Sequence, residues 1–166
     1  MALADGYAVD RITGGADLDA VVALEADSFT NPWTKEMLVR ELETSLVARV
    51  YVLRAPGGRV AAFCSCWILY DELHINTLAV DAAWRRRGLA TMLMTHLLTL
   101  AASEGATRAL LEVRQSNIPA IRLYETLGFE ITRIRRGYYT QPDEDALVLT
   151  RGGLPDTPET TTKAGA

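Results

Sequence analysis

The hydrophobic and polar positions change their spacing along the chain, and each change marks a predicted element. Near the start, "YAVDRIT" predicts a short strand, and Val21, Leu24 and Phe29 then lie at helical spacing. After the turn "TNPW", a second amphipathic helix is predicted to begin at Pro32 or Thr34. The valine-rich "LVARVYVLRA", the turn "PGG" and "RVAAFCSCWILY" predict an antiparallel hairpin, and "ELHINTLAV" predicts one more strand.

The second half of the chain alternates between strands and helices. A leucine stripe without proline predicts a helix from Gly88 to Glu104, and Gly105 suits the position just past its end. The segment "TRALLEV" predicts a strand, "IPAIRLYETLGF" a helix, and "EITRIRRGYY" and "EDALVLTR" two strands joined around "TQPD". This order predicts the α/β class, with a mixed sheet and helices on both faces.

The length and composition favour a single domain. The chain has 166 residues, of which 49% are hydrophobic and 23% charged, an ordinary globular balance. We place the domain over residues 1–151. The tail over residues 152–166, "GGLPDTPETTTKAGA", has few large apolar groups, so we expect it to be disordered.

The net charge of -4 argues against general binding of nucleic acid, because nucleic-acid-binding domains are usually strongly basic. The first residues have no apolar signal core, and no apolar stretch approaches the length of a membrane span. We therefore expect a cytoplasmic monomer with no direct nucleic-acid or membrane partner.

The stretch "WRRRGLAT" places arginines at the junction between a predicted strand and a predicted helix. The first amides of a helix have no partner within the helix, and its dipole favours negative charge. Gly88 would let the backbone approach an anion closely, and the arginines would add charge-assisted hydrogen bonds to phosphate. A solvated helix cap explains the same residues, and the stretch alone does not separate the two interpretations.

Three segments together resemble the GCN5-related N-acetyltransferase (GNAT) superfamily: "LAVDAAWRRRGLA", "LLEVRQSNIPAIRLYETLGF" and "RRGYY…EDALVL". The resemblance runs from about Val47 to Thr150, and its details are similar to the RimI branch, which acetylates the N-terminal alanine of ribosomal protein bS18. The chain departs from the branch pattern at Asn76, Thr77 and Gly137. The first segment matches the family's acetyl-CoA signature at Arg85, Arg86, Arg87, Gly88, Leu89 and Ala90.

The resemblance implies a fold, a cosubstrate and an acceptor. It implies about seven mostly antiparallel strands, with the strands ending near Val80 and Val113 adjacent, parallel and splayed at their ends. It implies acetyl-CoA as cosubstrate, no metal, and the α-amine of a protein N-terminus as acceptor. The groups expected to hold acetyl-CoA are the backbone of Leu78, Ala79 and Val80, the signature residues, and Asn117, which also suits a helix N-cap.

Two side chains are candidates for proton transfer. Glu112 ends an otherwise apolar strand, where a carboxylate is commonly salt-bridged, but it occupies the position of the general base in the RimI branch. Tyr124 fits a core aromatic with a solvated tip, and by resemblance it is the general acid. With a reference pKa of ~10, a phenol stays protonated at neutral pH and can donate to a departing thiolate.

Other residues have weaker signals. Tyr138 and Tyr139 fit exposed edge aromatics, and by resemblance they border the entry of the peptide and bind its backbone. His74, on the strand before the cosubstrate segment, is a minor candidate for the site, and His96 suits a structural role within its helix. The sequence leaves undecided whether four residues shape the other wall: Glu25, Phe29, Trp33 and Glu41.

Three functions remain open at this point. The first is acetylation of a protein N-terminus, and the second is acetylation of a lysine or a small-molecule amine. The third is a non-catalytic sensor of acyl-CoA. The presence of both Glu112 and Tyr124 favours an enzyme.

Overall fold

A computed structural model describes residues 1–154 of the chain. Within them, strands and helices follow the predicted order, joined by short turns, and the predicted helix caps are present. Thr34 caps the second helix by accepting a hydrogen bond from the amide of Met37. The strands are β1 (Ala8–Ile12), β2 (Ala48–Arg54), β3 (Val60–Leu69), β4 (Glu72–Val80), β5 (Arg108–Arg114), β6 (Glu130–Tyr139) and β7 (Glu144–Arg151). The α-helices are α1 (Ala16–Ser28), α2 (Lys35–Thr44), α3 (Leu89–Ser103) and α4 (Ile118–Thr126).

The strands form one seven-stranded sheet in the order β1-β2-β3-β4-β5-β7-β6. All neighbours are antiparallel except β4 and β5, which are parallel and joined through α3. Parallel neighbours need such a crossover connection. The predicted mixed, mostly antiparallel sheet is confirmed.

The sheet is covered on both faces, and alternate side chains of β2 pack into the core on each face. Tyr51 and Leu53 belong to the core cluster that includes the leucines of α3. Val50 and Val52 belong to the cluster with α1 and α2. Because side chains alternate between the faces of a strand, a nearly continuous apolar strand is buried on both sides.

The parallel strands β4 and β5 separate halfway along β4. Their pairing covers only Glu72–Ile75 and Arg108–Leu111. A bulge begins at this point, because Ile75 pairs with Cys66 and Thr77 with Ser65, which leaves Asn76 as the extra residue. A bulge bends its strand, and here it turns the end of β4 away from β5. The predicted splay is confirmed, and it opens the sheet at its centre.

Packing continues past the predicted domain boundary at residue 151. The side chain of Leu154 is buried in the core, and its amide donates to the carbonyl oxygen of Thr107. The rest of the tail predicted to be disordered, residues 155–166, lies outside the described residues. In the chain up to Leu154, no helix is long and apolar enough to cross a membrane.

Candidate active site

The turn between β4 and α3 is built to leave its amides open. Asp81 caps a short 3-10 turn, Ala82–Trp84, by accepting from the amide of Ala83 at 2.9 Å. Arg86 and Gly88 then adopt positive φ values of 63° and 73°. Glycine tolerates this backbone well, and the reversal directs the chain into the first turn of α3. The free amides of that turn therefore lie beside the open edge of β4.

The three arginines of the turn have different surroundings. Arg85 donates from Nε to the carbonyl oxygen of Val80 at 3.3 Å. The guanidinium of Arg87 stacks on the ring of Trp84, with its central carbon 4.6 Å from the ring centroid. Arg85 and Arg86 line the cavity at this place, whereas Arg87 does not. The side chain of Arg87 therefore supports the turn.

We call this cavity of about 410 Å³, at the start of α3, the α3 groove. It contains nine of the ten residues predicted to hold the cosubstrate, and Arg87 is the exception. The remaining five lining residues were not predicted to hold the cosubstrate, and three of them come from distant segments. The predicted lining residues are Leu78, Ala79, Val80, Arg85, Arg86, Gly88, Leu89, Ala90 and Asn117, and the others are Ser28, Phe29, Trp84, Thr91 and Leu123.

The α3 groove fits acetyl-CoA. Beyond Ile75, the edge of β4 that faces β5 has no strand partner and offers backbone groups to an extended chain of amides. The amides at the start of α3, with the Arg85 and Arg86 cations, suit a pyrophosphate. Bound there, acetyl-CoA supplies an acetyl group already activated as a thioester.

A second cavity of about 300 Å³, which we call the Glu112 cavity, adjoins the groove through three shared residues, Phe29, Leu78 and Asn117. Its other lining residues come from α1, the α1–α2 turn, β4, β5, α4 and β6. They are Glu25, Asn31, Trp33, Asn76, Thr77, Glu112, Val113, Arg114, Ala120, Tyr124 and Tyr139. The splay of β4 from β5 thus joins a groove for an anionic ligand to a cavity with titratable side chains.

Glu112 is held by two neighbours on the sheet surface. The ring N–H of His74 donates to its Oε2 at 2.8 Å, and Arg135 donates to its Oε1 at 3.3 Å. The Glu112 side chain is 13% exposed. The hydrogen bond from His74, followed by the charges of His74 and Arg135, outweighs burial and lowers the pKa of Glu112. The carboxylate is therefore ionised at neutral pH.

Tyr124 lies on α4 with its ring packed edge-on against Phe129, at a centroid distance of 5.6 Å. The residue is buried, and burial is the main cause that raises the pKa of its phenol. The phenol therefore keeps its proton. Asn117 caps α4 by accepting from the amide of Ala120 at 3.3 Å, so its predicted capping role is confirmed.

The paired tyrosines at the end of β6 meet edge-on, with ring centroids 5.0 Å apart, but their surroundings differ. Tyr139 lines the Glu112 cavity, and burial raises its pKa to about 12. Arg114 stacks over its ring at 4.4 Å. Tyr138 is exposed beneath the guanidinium of Arg135 and does not line the cavity. Of the two residues predicted to bind substrate, the structure brings only Tyr139 to the site.

Several residues of the Glu112 cavity carried little or no sequence signal. The α1–α2 segment, left undecided by the sequence, supplies Glu25, Phe29 and Trp33 as one wall. Asn31 donates from Nδ2 to the carbonyl oxygen of Thr140 at 3.3 Å, which ties this wall to the β6–β7 turn. These contacts join segments far apart in the chain, so no local pattern could reveal them.

Comparison with known proteins agrees with this geometry. The sequence pattern of the acetyltransferase (GNAT) family matches residues 18–129. A Bacillus subtilis strain 168 protein is 38% identical over 133 residues, which are 80% of this chain and 87% of the relative. The ribosomal protein bS18-alanine N-acetyltransferase of Salmonella typhimurium strain LT2 is 36% identical over 145 residues, which are 83% of this chain and 93% of the relative.

A solved structure extends the likeness to the whole fold. The crystal structure of the Escherichia coli alanine N-acetyltransferase for the same ribosomal protein matches with a TM-score of 0.80 and 30% identity. The match covers 92% of this chain and 97% of that one, and it confirms the predicted resemblance to the RimI branch. The chain therefore belongs to the acetyltransferase (GNAT) family and is an acetyl-CoA-dependent N-acetyltransferase.

Proposed function

We propose that this enzyme transfers the acetyl group of acetyl-CoA to the α-amine of a protein N-terminus, the alanine of ribosomal protein bS18. The observation that carries the proposal is the junction of the two cavities. Glu112 and Tyr124 line the Glu112 cavity, and Asn117 belongs to both that cavity and the α3 groove. Relatives that match over nearly their whole length are named for this acceptor, which supports the same acceptor here.

In this proposal Glu112 is the general base. Its carboxylate is ionised and borders the cavity, so it accepts, directly or through water, the proton lost as the amine forms its new bond. The reference pKa of an α-amine is ~8, against ~10.4 for lysine. A weak base such as Glu112 is therefore better matched to an N-terminal amine than to a lysine.

Tyr124 is the general acid in the same proposal. Its protonated phenol lines the cavity near the shared residue Asn117, where the thioester end of acetyl-CoA would meet the amine. The phenol gives its proton to the departing thiolate. Because burial disfavours the phenolate, Tyr124 regains a proton before the next turnover.

Acetyl transfer to a panel of short peptides tests the acceptor. The panel carries alanine, serine or methionine at the first position, and a peptide with a blocked N-terminus and one internal lysine is the control. We expect the highest kcat/KM with the alanine peptide that carries the first residues of bS18. Equal or faster acetylation of the blocked lysine peptide would contradict the proposal.

A further inference from the structure

Glu25 is a buried carboxylate for which the proposed reaction has so far no use. It lies in the last turn of α1. Within residues 1–154 it is the one charged residue that is buried, with 4% exposure. Its Oε1 accepts a hydrogen bond from the backbone amide of Trp33 at 3.1 Å. In the chain up to Leu154 it forms no ion pair with lysine, arginine or histidine. A buried carboxylate without a cation is costly, so its retention calls for a reason.

The second oxygen of Glu25 is not fully closed off from solvent. Every side-chain oxygen or nitrogen that is closed off from solvent within residues 1–154 has a hydrogen-bond partner. Oε2 of Glu25 has no such partner, so it is not closed off. Glu25 lines the Glu112 cavity and a small pocket beside it. Glu25 therefore borders the space where the acceptor amine would lie.

The groups around Glu25 leave its charge uncompensated. Burial is the main cause that raises the pKa of Glu25, and the hydrogen bond from Trp33 lowers it by less. Glu112, in contrast, has both oxygens occupied by His74 and Arg135. The other titratable or charged groups that line the two spaces bordered by Glu25 are Glu41, Arg49, Cys66, Arg114, Tyr124 and Tyr139.

We propose that Glu25 receives the protonated α-amine of the acceptor and removes its first proton. At neutral pH an α-amine with a pKa of ~8 arrives mainly as the ammonium ion, which cannot attack a thioester. The N–H bond breaks, an O–H bond forms on Oε2, and the electron pair stays on nitrogen as the lone pair of a neutral amine. Solvent later takes the proton from Glu25.

The two carboxylates then have separate tasks, an inference that rests on the proposed function. Acetylation of an ammonium ion releases two protons from nitrogen, and the thiolate takes up one. Glu25 accepts the first proton before attack, and Glu112 accepts the second as the new bond forms. A buried carboxylate without a counter-ion is the stronger base of the two, because water and cations do not stabilise its charged form.

The test compares Glu25→Gln with Glu41→Gln on an alanine-initial peptide. Glutamine keeps an oxygen for the amide of Trp33 and removes only the charge. Glu41 is a matched control, since it accepts from Nε1 of Trp67 at 2.8 Å and lines only the small pocket. Without Glu25, the enzyme must wait for the neutral amine, which is ~3% of the peptide near pH 6.5 and ~90% near pH 9.

We therefore expect Glu25→Gln to lower kcat/KM by roughly 30-fold near pH 6.5 and by less than about 3-fold near pH 9. Glu41→Gln should follow the wild type at both pH values. The inhibition constant of the N-acetylated product peptide, which has no ammonium group, should be the same in Glu25→Gln and the wild type. A thermal melt at or above that of the wild type verifies that the variant folds, and Glu25→Asp should keep the wild-type pH profile.

Two results would overturn the inference. An equal loss of kcat/KM at both pH values, with weaker binding of the product peptide, would mean that Glu25 only positions the Trp33 segment. No loss at either pH would mean that Glu25 takes no part. Failure of the proposed function would give a different result, because the wild-type enzyme itself would then not acetylate the α-amine.

Discussion

The α3 groove and the Glu112 cavity are neighbours, but the chain builds them in opposite ways. Most of the groove comes from one continuous segment, Leu78 to Thr91, and much of what it offers is backbone. The Glu112 cavity takes side chains from α1, the α1–α2 turn, β4, β5, α4 and β6. We expect the groove to bind acetyl-CoA largely through its backbone groups. We expect the individual side chains of the cavity to determine the acceptor and to transfer the protons.

This difference also predicts how substitutions behave. A change in the groove should weaken acetyl-CoA binding, and a change in the cavity should alter turnover or peptide affinity while acetyl-CoA still binds. Four substitutions test that separation.

Tyr124→Phe should lower kcat by roughly a hundred- to ten-thousand-fold, the range for general acid–base catalysis. Phenylalanine keeps the edge contact with Phe129 and removes only the donor for the thiolate. Acetyl-CoA affinity, measured by calorimetry, should be unchanged. Full turnover in the variant would reduce Tyr124 to a packing residue.

Gly88→Asp should weaken acetyl-CoA binding at least about a hundredfold, because it places bulk and negative charge at the pyrophosphate site. The stabilisation of about 2.7 kcal/mol expected at a 100-fold excess over Kd should then fall to about 0.4 kcal/mol or less in thermal melts. Gly105→Asp is the matched control: Gly105 also has positive φ and an open surrounding, but it lies past the other end of α3. Equal loss of the acetyl-CoA shift in both variants would indicate backbone strain and not a phosphate site.

Glu112→Gln should lower kcat by roughly ten- to a hundredfold, less than Tyr124→Phe, because the proton that Glu112 accepts becomes acidic as the new bond forms and can also pass to water. His74 and Arg135 lower the pKa of Glu112 in the folded state, so their stabilising contribution is present at neutral pH and is lost as the pH falls through that lowered value. Wild-type activity should therefore not decline between pH 8 and 6 through protonation of Glu112. The kcat of the wild type across this pH range, and the kcat and acetyl-CoA affinity of the variant, check these two expectations; the acetyl-CoA affinity should be unchanged.

Asn31→Ala should have the smallest effect, a rise of roughly two- to tenfold in KM for the peptide. It removes the single hydrogen bond from the Asn31 side chain to Thr140, and one such bond contributes about 0.5–1.5 kcal/mol. Neither kcat nor acetyl-CoA affinity should change. A variant that instead loses acetyl-CoA affinity would show that the two regions are not separable.

The sequence predicted the groove far better than the cavity, because most of the groove comes from one continuous segment of the chain. The hydrophobic periods located the strands and helices, and the glycine and arginines before α3 suggested an anion site or a solvated helix cap. The strand pairing of β4 with β5, and the roles of Glu112 and Tyr124, entered only through resemblance to a family. Arg87 was predicted in the groove, but it stacks on Trp84, a contact that no spacing rule contains.

The residues that line the cavity could be predicted only in part, because they come together only when the chain folds. Glu25 and Trp33 were noted in the sequence, but their hydrogen bond follows from the turn between α1 and α2. Asn76 and Thr77 depart from the family pattern, and both line the Glu112 cavity at the bulge of β4. Two of the three departures from the pattern thus line the cavity that we propose for the acceptor.

We propose that the Glu112 cavity directs the acetyl group to an α-amine. Fragmentation mass spectrometry tests this on one alanine-initial peptide that carries a free N-terminus and one internal lysine, after reaction with acetyl-CoA. We expect a single acetyl group on the N-terminal alanine and an unmodified lysine. Acetylation confined to the lysine would contradict it, although the chain would remain a GNAT acetyltransferase.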